Sequence, residues 1–236
     1  MRMHNGTLAA LLLCGSVLAG HVNAPVNDWK ELREKNLRMG CSAEQVDRPI
    51  DACRANGLSV MDAEDLLCAV YTAHEAELPT DCLFIRIEEG LAKHAAWEDV
   101  HAAANRRLEC MLKADELILS VRQHRGGEHQ HLVKHMCLAM ESGLPEDVLK
   151  NVINRPSRFR YGRLIHVTEA GESLHLAGFD PAQIQHIMND CLDRDLSYAE
   201  VMRVVDVLQR GLHEGKDFET LHDTLWVSSA TADTGR

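Results

Sequence analysis

A recurring unit runs through this chain: an apolar stripe at helical period, a turn of a few residues, then another stripe. It is clearest from Ala76 to Val100. Pro79 reads as a first-turn proline, whose missing N–H would have no intrahelical partner there. Asp81 sets negative charge near the positive end of the helix dipole. Leu83, Ile87, Gly90 and Leu91 then fall on one face at i, i+4, i+7 and i+8, with Arg86, Glu89 and Lys93 largely off it. The spacing predicts a helix that stops near Lys93-His94 and a second that starts at Trp97. A glycine inside a helix costs roughly 1 kcal/mol against alanine, so Gly90 marks a close helix–helix contact.

The same grammar runs along the rest of the chain. Asn27–Met39 reads as a helix stopped by Gly40, and Ser42 with Gln45 as a capping box opening the next. Pro49 is expected to kink or delay that helix, which ends at Gly57. A third helix opens at Asp62, with Leu66, Leu67, Val70 and Ala73 as its buried face. From Trp97 a long helix runs to Arg122, carrying Val100, Ala104, Leu108, Met111, Leu112, Leu117 and Leu119. Gly126-Gly127 is the clearest break. Helices over Glu128–Ser142 and Pro145–Asn154 follow, then a loop near Arg155-Pro156-Ser157. One helix ends near Ala177. Asp180, Pro181 and Gln183 cap the next, Ser197 and Glu200 cap another, and Lys216–Glu219 starts the last.

A shift of 101 residues lays Ala76, Leu78, Leu83, Leu91, Trp97 and Val100 on Ala177, Phe179, Ile184, Leu192, Tyr198 and Val201, and a shift of 66 lays Leu78-Pro79 on Leu144-Pro145. The fold expected is all-α: an irregular repeat of helical hairpins, solenoid-like or a bundle, with about ten helices. The segments expected are a signal peptide over 1–19, an N-terminal helical half over 27–125, a C-terminal helical half over 128–227 and a disordered tail over 228–236.

Leu78, Pro79, Leu83, Glu89, Gly90, Ala92 and Lys93 carry a resemblance. They fit Gly-Leu-Pro-x-x-x-Leu-x-x-Lys-x-x-Glu-Gly-x-Ala-Lys-Gly-x-Pro, the pattern of a family of uncharacterised bacterial exported helical proteins. The chain is similar to it over about residues 73–120, and more loosely elsewhere. It departs from the pattern at Glu77 and His94, where the family has glycine, at Arg86 for a lysine and at Ala96 for a proline. The resemblance implies export and a helical fold, and it implies no catalytic residue.

Targeting reads the same way from the residues themselves. Arg2 supplies a thin basic region, Leu8–Leu13 an apolar core too short for a membrane span, and Val17-Leu18-Ala19 a small-residue cleavage site. Val22-Asn23-Ala24 is an alternative site, ahead of Pro25. Leu13 stands where a lipoprotein needs a small residue before Cys14, so no lipid anchor is expected there. The chain is therefore expected to be periplasmic or extracellular, with no transmembrane segment. A formal charge of −11 argues against a nucleic-acid partner, since Arg155, Arg158, Arg160 and Arg163 form the one basic cluster.

For chemistry, the densest segment is His124–Cys137, in a chain with 14 histidines. On a helix Glu128, His131 and His135 share one face, and the i,i+4 histidines suit zinc or copper, with His124 or Cys137 as further ligands. The pattern lacks the His-Glu-x-x-His base of a metalloprotease, and no phosphate-loop, dinucleotide or Gly-x-Ser-x-Gly signature occurs. Seven of the eight cysteines follow Cys14. Cys53 with Cys68 and Cys82 with Cys110 are the pairings a helical hairpin would place together. The reading that results is an exported, non-catalytic scaffold presenting a helical groove to a protein or peptide. The alternative is a periplasmic metal-binding protein using Glu128, His131 and His135. An enzyme of unspecified class is the third reading.

Overall fold

The computed structural model describes residues 27–122, 128–155 and 160–230. Among them it has eleven helices and no strand: α1 (Trp29–Arg38), α2 (Ala43–Ala55), α3 (Val60–Glu75), α4 (Asp81–Ala92), α5 (Trp97–Val121), α6 (His129–Glu141), α7 (Glu146–Ile153), α8 (Tyr161–Leu176), α9 (Pro181–Asp193), α10 (Tyr198–His213) and α11 (Phe218–Ala230). The fold is all-α, a run of helical hairpins. The expected signal peptide, Cys14, and the Gly126-Gly127 break lie outside the described residues.

One turn joins most of these helices. Gly40, Gly57, Glu77, His94, Gly143, Gly178, Asp195 and Gly215 all have positive φ, between 52° and 103°. Each follows a helix C-cap. In every case the amide of the next residue donates to a carbonyl five residues back, over 2.8–3.4 Å, from Cys41 to Asn36 through to Lys216 to Gly211. The left-handed residue itself donates to the carbonyl three residues back. This pairing satisfies the otherwise unpartnered last carbonyls of the helix. In seven of the eight turns the returning residue is followed at once by the next N-cap. The turn at Leu78 has one residue more, Pro79.

The next helix is then started by its own cap. Ser42 and Gln45, Asp180 and Gln183, and Ser197 and Glu200 form reciprocal capping boxes. Ser59 and Asp62 form another, which starts α3 at Val60, two residues before the expected Asp62. Its hydrogen bonds to Ser59 hold the Asp62 carboxyl below the usual carboxylate range. Pro79 precedes the N-cap Thr80, so it stands outside α4 rather than in its first turn. α2 is unbroken through Pro49, which is buried. α11 continues to Ala230, past the expected tail start at 228.

The described residues form two compact units that divide at Glu64/Asp65, inside α3. In the first, α1 packs on α2, and Lys35 reaches Glu64 over 2.8 Å. In the second, α4 packs on α5, α5 on α6, α6 on α8, α8 on both α9 and α10, and α10 on α11. α5 and α6, on either side of Gly126-Gly127, thus lie against each other. Leu83, Ile87 and Leu91 are buried as expected, and a Cβ on Gly90 would stand 2.8 Å from Val100 Cγ2. Leu112, expected in the core of α5, is exposed, while Ile118 is buried in its place. Arg107 on α5 donates through Nε to both carboxylate oxygens of Glu141 on α6, at 3.0 Å each, and through Nη1 to the carbonyl of Cys82 on α4.

Non-glycine residues in the left-handed region carry a penalty of about 1–2 kcal/mol. His94 is exposed, with φ at 52°. His94→Gly is expected to raise the free energy of unfolding by on the order of 1 kcal/mol, read as a higher urea midpoint at unchanged slope.

Candidate metal centre

Two stripes with a four-residue step face each other near the C-terminus. α9 carries His186 and Asp190, with Arg194 as its C-cap one turn on; α11 carries Phe218, His222 and Trp226. A four-residue step is about one helical turn, so each stripe follows one face. His222 Nε2 lies 2.8 Å from Asp190 Oδ2, and His186 Nε2 lies 3.9 Å from the same oxygen. The two imidazoles are 4.6 Å apart between centroids. Further along, the Arg194 guanidinium sits 4.0 Å over the Trp226 ring, and Phe218 stacks on His222 at 5.7 Å. Phe179, the returning residue of the turn before α9, meets Phe218 edge-on at 6.4 Å.

His186, Asp190 and His222 are the one group among the described residues in which three ligand atoms lie within 4.8 Å of one another. Zinc bonds of about 2.0 Å in a tetrahedron need ligand atoms about 3.3 Å apart, and the separations of 2.8 and 3.9 Å bracket that value. Two imidazoles and a carboxylate are ligands for zinc, copper(II) or non-haem iron(II), with coordination positions left open. The His186 side chain is 54% exposed, while those of Asp190 and His222 are 22% and 19% exposed. An ion there would be reachable from solvent on one side.

The residues expected to bind metal are arranged differently. Glu128 is the exposed N-cap residue of α6, and its side chain makes no capping bond. His131 is exposed one turn further on, and His124 lies outside the described residues. His135 is half-buried, with Nδ1 3.3 Å from Glu169 Oε1 on α8. Cys137 turns inward, its thiol donating to the Arg107 carbonyl, and burial pushes its pKa up. The helix does put His131 and His135 on one side, but α8 supplies the carboxylate that His135 meets. His129, at the start of α6, is the fully buried histidine of the segment. Its Nε2 lies 2.6 Å from Asp115 Oδ1 and its Nδ1 3.4 Å from the Tyr161 hydroxyl.

The other sequence leads are also placed. Arg155 pairs with Asp193 at 2.8 Å and Arg163 with Asp195, so two of the basic cluster's arginines meet the carboxylates that end α9. Arg158 lies outside the described residues. The cysteines from Cys41 to Cys191 are free thiols. Burial pushes Cys53 and Cys82 up to about 11 and Cys191 up to about 12, which keeps them protonated and unreactive near neutrality. No helix among the described residues is long and apolar enough to cross a membrane. No family model, curated protein or solved structure matches the chain.

The signal for the seam was present in the sequence as His186-x-x-x-Asp190-x-x-x-Arg194 and Phe218-x-x-x-His222-x-x-x-Trp226. The stripes are separated by α10, so nothing local links them.

Burial lowers the pKa of His135 from its ordinary 6.5, with Lys134, His131 and His166 acting the same way and Glu169 opposing. The unfolded chain therefore takes up this proton at higher pH than the folded one, and stability falls as pH drops through the ordinary histidine range. His135→Gln is expected to flatten the pH dependence of the urea midpoint between about pH 7 and 5.

Proposed function

We propose that this chain is a metal-binding helical protein that holds a divalent transition ion, zinc or copper(II), through His186, Asp190 and His222. The observation that carries this reading is the convergence of those three ligand atoms across the α9–α11 seam. Its position supports a protein that takes up and hands on an ion, because His186 is exposed and three protein ligands leave the remaining positions to water or an acceptor. Binding requires deprotonated imidazoles, so it weakens on acidification. Export belongs to the same proposal and rests on residues 1–19, as does kinship with the uncharacterised exported helical proteins on residues 73–120.

Native mass spectrometry of the chain with zinc or copper(II) tests the site. We expect one ion per chain, lost in the His186→Ala, His222→Ala double variant and retained in the His131→Ala, His135→Ala double variant. Loss in the second pair alone would move the site to α6, and a wild-type chain that takes up no ion would end the metal reading.

A second reading, a scaffold that binds a peptide, is favoured by the groove between α8 and α10. Ser173, Leu176, Ala177, Gln209, Leu212 and His213 line it, and Leu176 is 69% exposed beside Leu212 at 39%. Peptides selected on the wild-type chain from a random library are then expected to lose at least tenfold in affinity for a Leu176→Asp, Leu212→Asp variant, about the effect of losing two apolar anchors. Unchanged affinity would exclude this groove.

A further inference from the structure

We infer that Trp226 is the residue that sets the affinity of the α9–α11 site, by competing with the ion for His222 Nε2; this rests on the metal reading above. An imidazole nitrogen has a single in-plane direction, a lone pair or an N–H. At His222 Nε2 two groups claim it. Asp190 Oδ2 approaches to 2.8 Å and the Trp226 indole Nε1–H donates to it over 3.1 Å. The carboxylate accepts a hydrogen bond and the indole N–H gives one, so the two make opposite demands on the same atom. With its proton on Nδ1, His222 accepts from Trp226 and turns a lone pair toward the Asp190 carboxylate. With a proton on Nε2 it donates to Asp190 and loses Trp226.

A cation bound to Nε2 satisfies the imidazole lone pair and the Asp190 oxygen together. What it displaces is the indole N–H. Trp226 is held in place to compete: it lies one turn beyond His222, its ring stands edge-on to that imidazole at 6.2 Å, and Arg194 covers its face at 4.0 Å. By donating to Nε2 the indole also holds the proton on Nδ1, which is the tautomer an incoming ion needs. Trp226 is thus a positioning residue: it keeps the ligand atom deprotonated and lowers the affinity of the site to a level from which the ion can leave.

Zinc is the probe, since it has no redox chemistry. Its affinity is measured by calorimetry, and tryptophan emission is followed in the same titration, for the wild type, Trp226→Phe and His222→Ala. Phe keeps the ring and removes the donor. We expect Trp226→Phe to bind zinc about threefold to tenfold more tightly, the value of one hydrogen bond no longer broken. The wild type should show an emission change that saturates at one zinc per chain and vanishes in Trp226→Phe, which retains Trp29 and Trp97. His222→Ala should lose both signals. Equal or weaker binding by Trp226→Phe, or an emission change that survives the substitution, overturns the inference while zinc binding by the wild type leaves the metal reading intact. Absence of zinc binding in the wild type fails the metal reading itself.

Discussion

Among the described residues, eight helix ends depend on one hydrogen bond, from the residue after a left-handed position to a carbonyl five residues back. That bond reverses the chain within a few residues and sets where the next helix begins. At four of these eight turns the residue that makes it is also buried in the hairpin: Cys41, Leu78, Leu144 and Phe179. Local backbone geometry and core packing are thereby joined at a single residue. The helices that do not end this way, α5, α7 and α11, are followed by segments outside the described residues.

Two kinds of constraint act on the stretch from Glu77 to His94. Glu77 and His94 are left-handed positions, where glycine would be free of strain. At Gly90 the constraint is different: a Cβ would stand 2.8 Å from Val100 Cγ2 of α5. The first kind answers to φ and the second to the distance between helices. A chain that keeps the fold can place a larger residue at the first kind for about 1–2 kcal/mol. At the second kind it must move a helix.

Much of the fold was legible because its signals are local. Ser42, Asp180 and Ser197 mark helix starts through side chains that bond within three residues, and Trp97 starts α5 where the period resumes. Local signals misled where two readings share the same residues. Pro79 suits a first turn or the residue before a cap, and the extra residue in that turn decides for the second. Leu112 and Ile118 both fit a helical stripe, and the neighbours of α5 choose Ile118. Among the site residues, density of histidine pointed to α6, where His129 is buried against Asp115 and His135 is met by Glu169. The α9–α11 group depends on a parallel pairing of two stripes across α10, which no single window of sequence contains.

The last hairpin has a turn without a buried anchor, as the Ala95 turn before α5 does. Its returning residue is Lys216, which is exposed, so α11 gains no apolar anchor at its start. Two other contacts hold it. Leu221 fills the notch left by Gly211 on α10, where a Cβ would stand 2.9 Å from Cδ1, and the Phe218, His222 and Trp226 stripe meets α9. Apolar packing is indifferent to protons and ions, but a seam of His, Asp and Trp is not, because each of its contacts depends on where a hydrogen or a cation sits. The chain has placed proton- and ion-sensitive contacts at a helix whose turn gives it no buried apolar anchor. Ligand occupancy of the seam and docking of α11 are therefore linked quantities: an ion that bridges His186, Asp190 and His222 must favour the docked helix by as much as docking favours the ion.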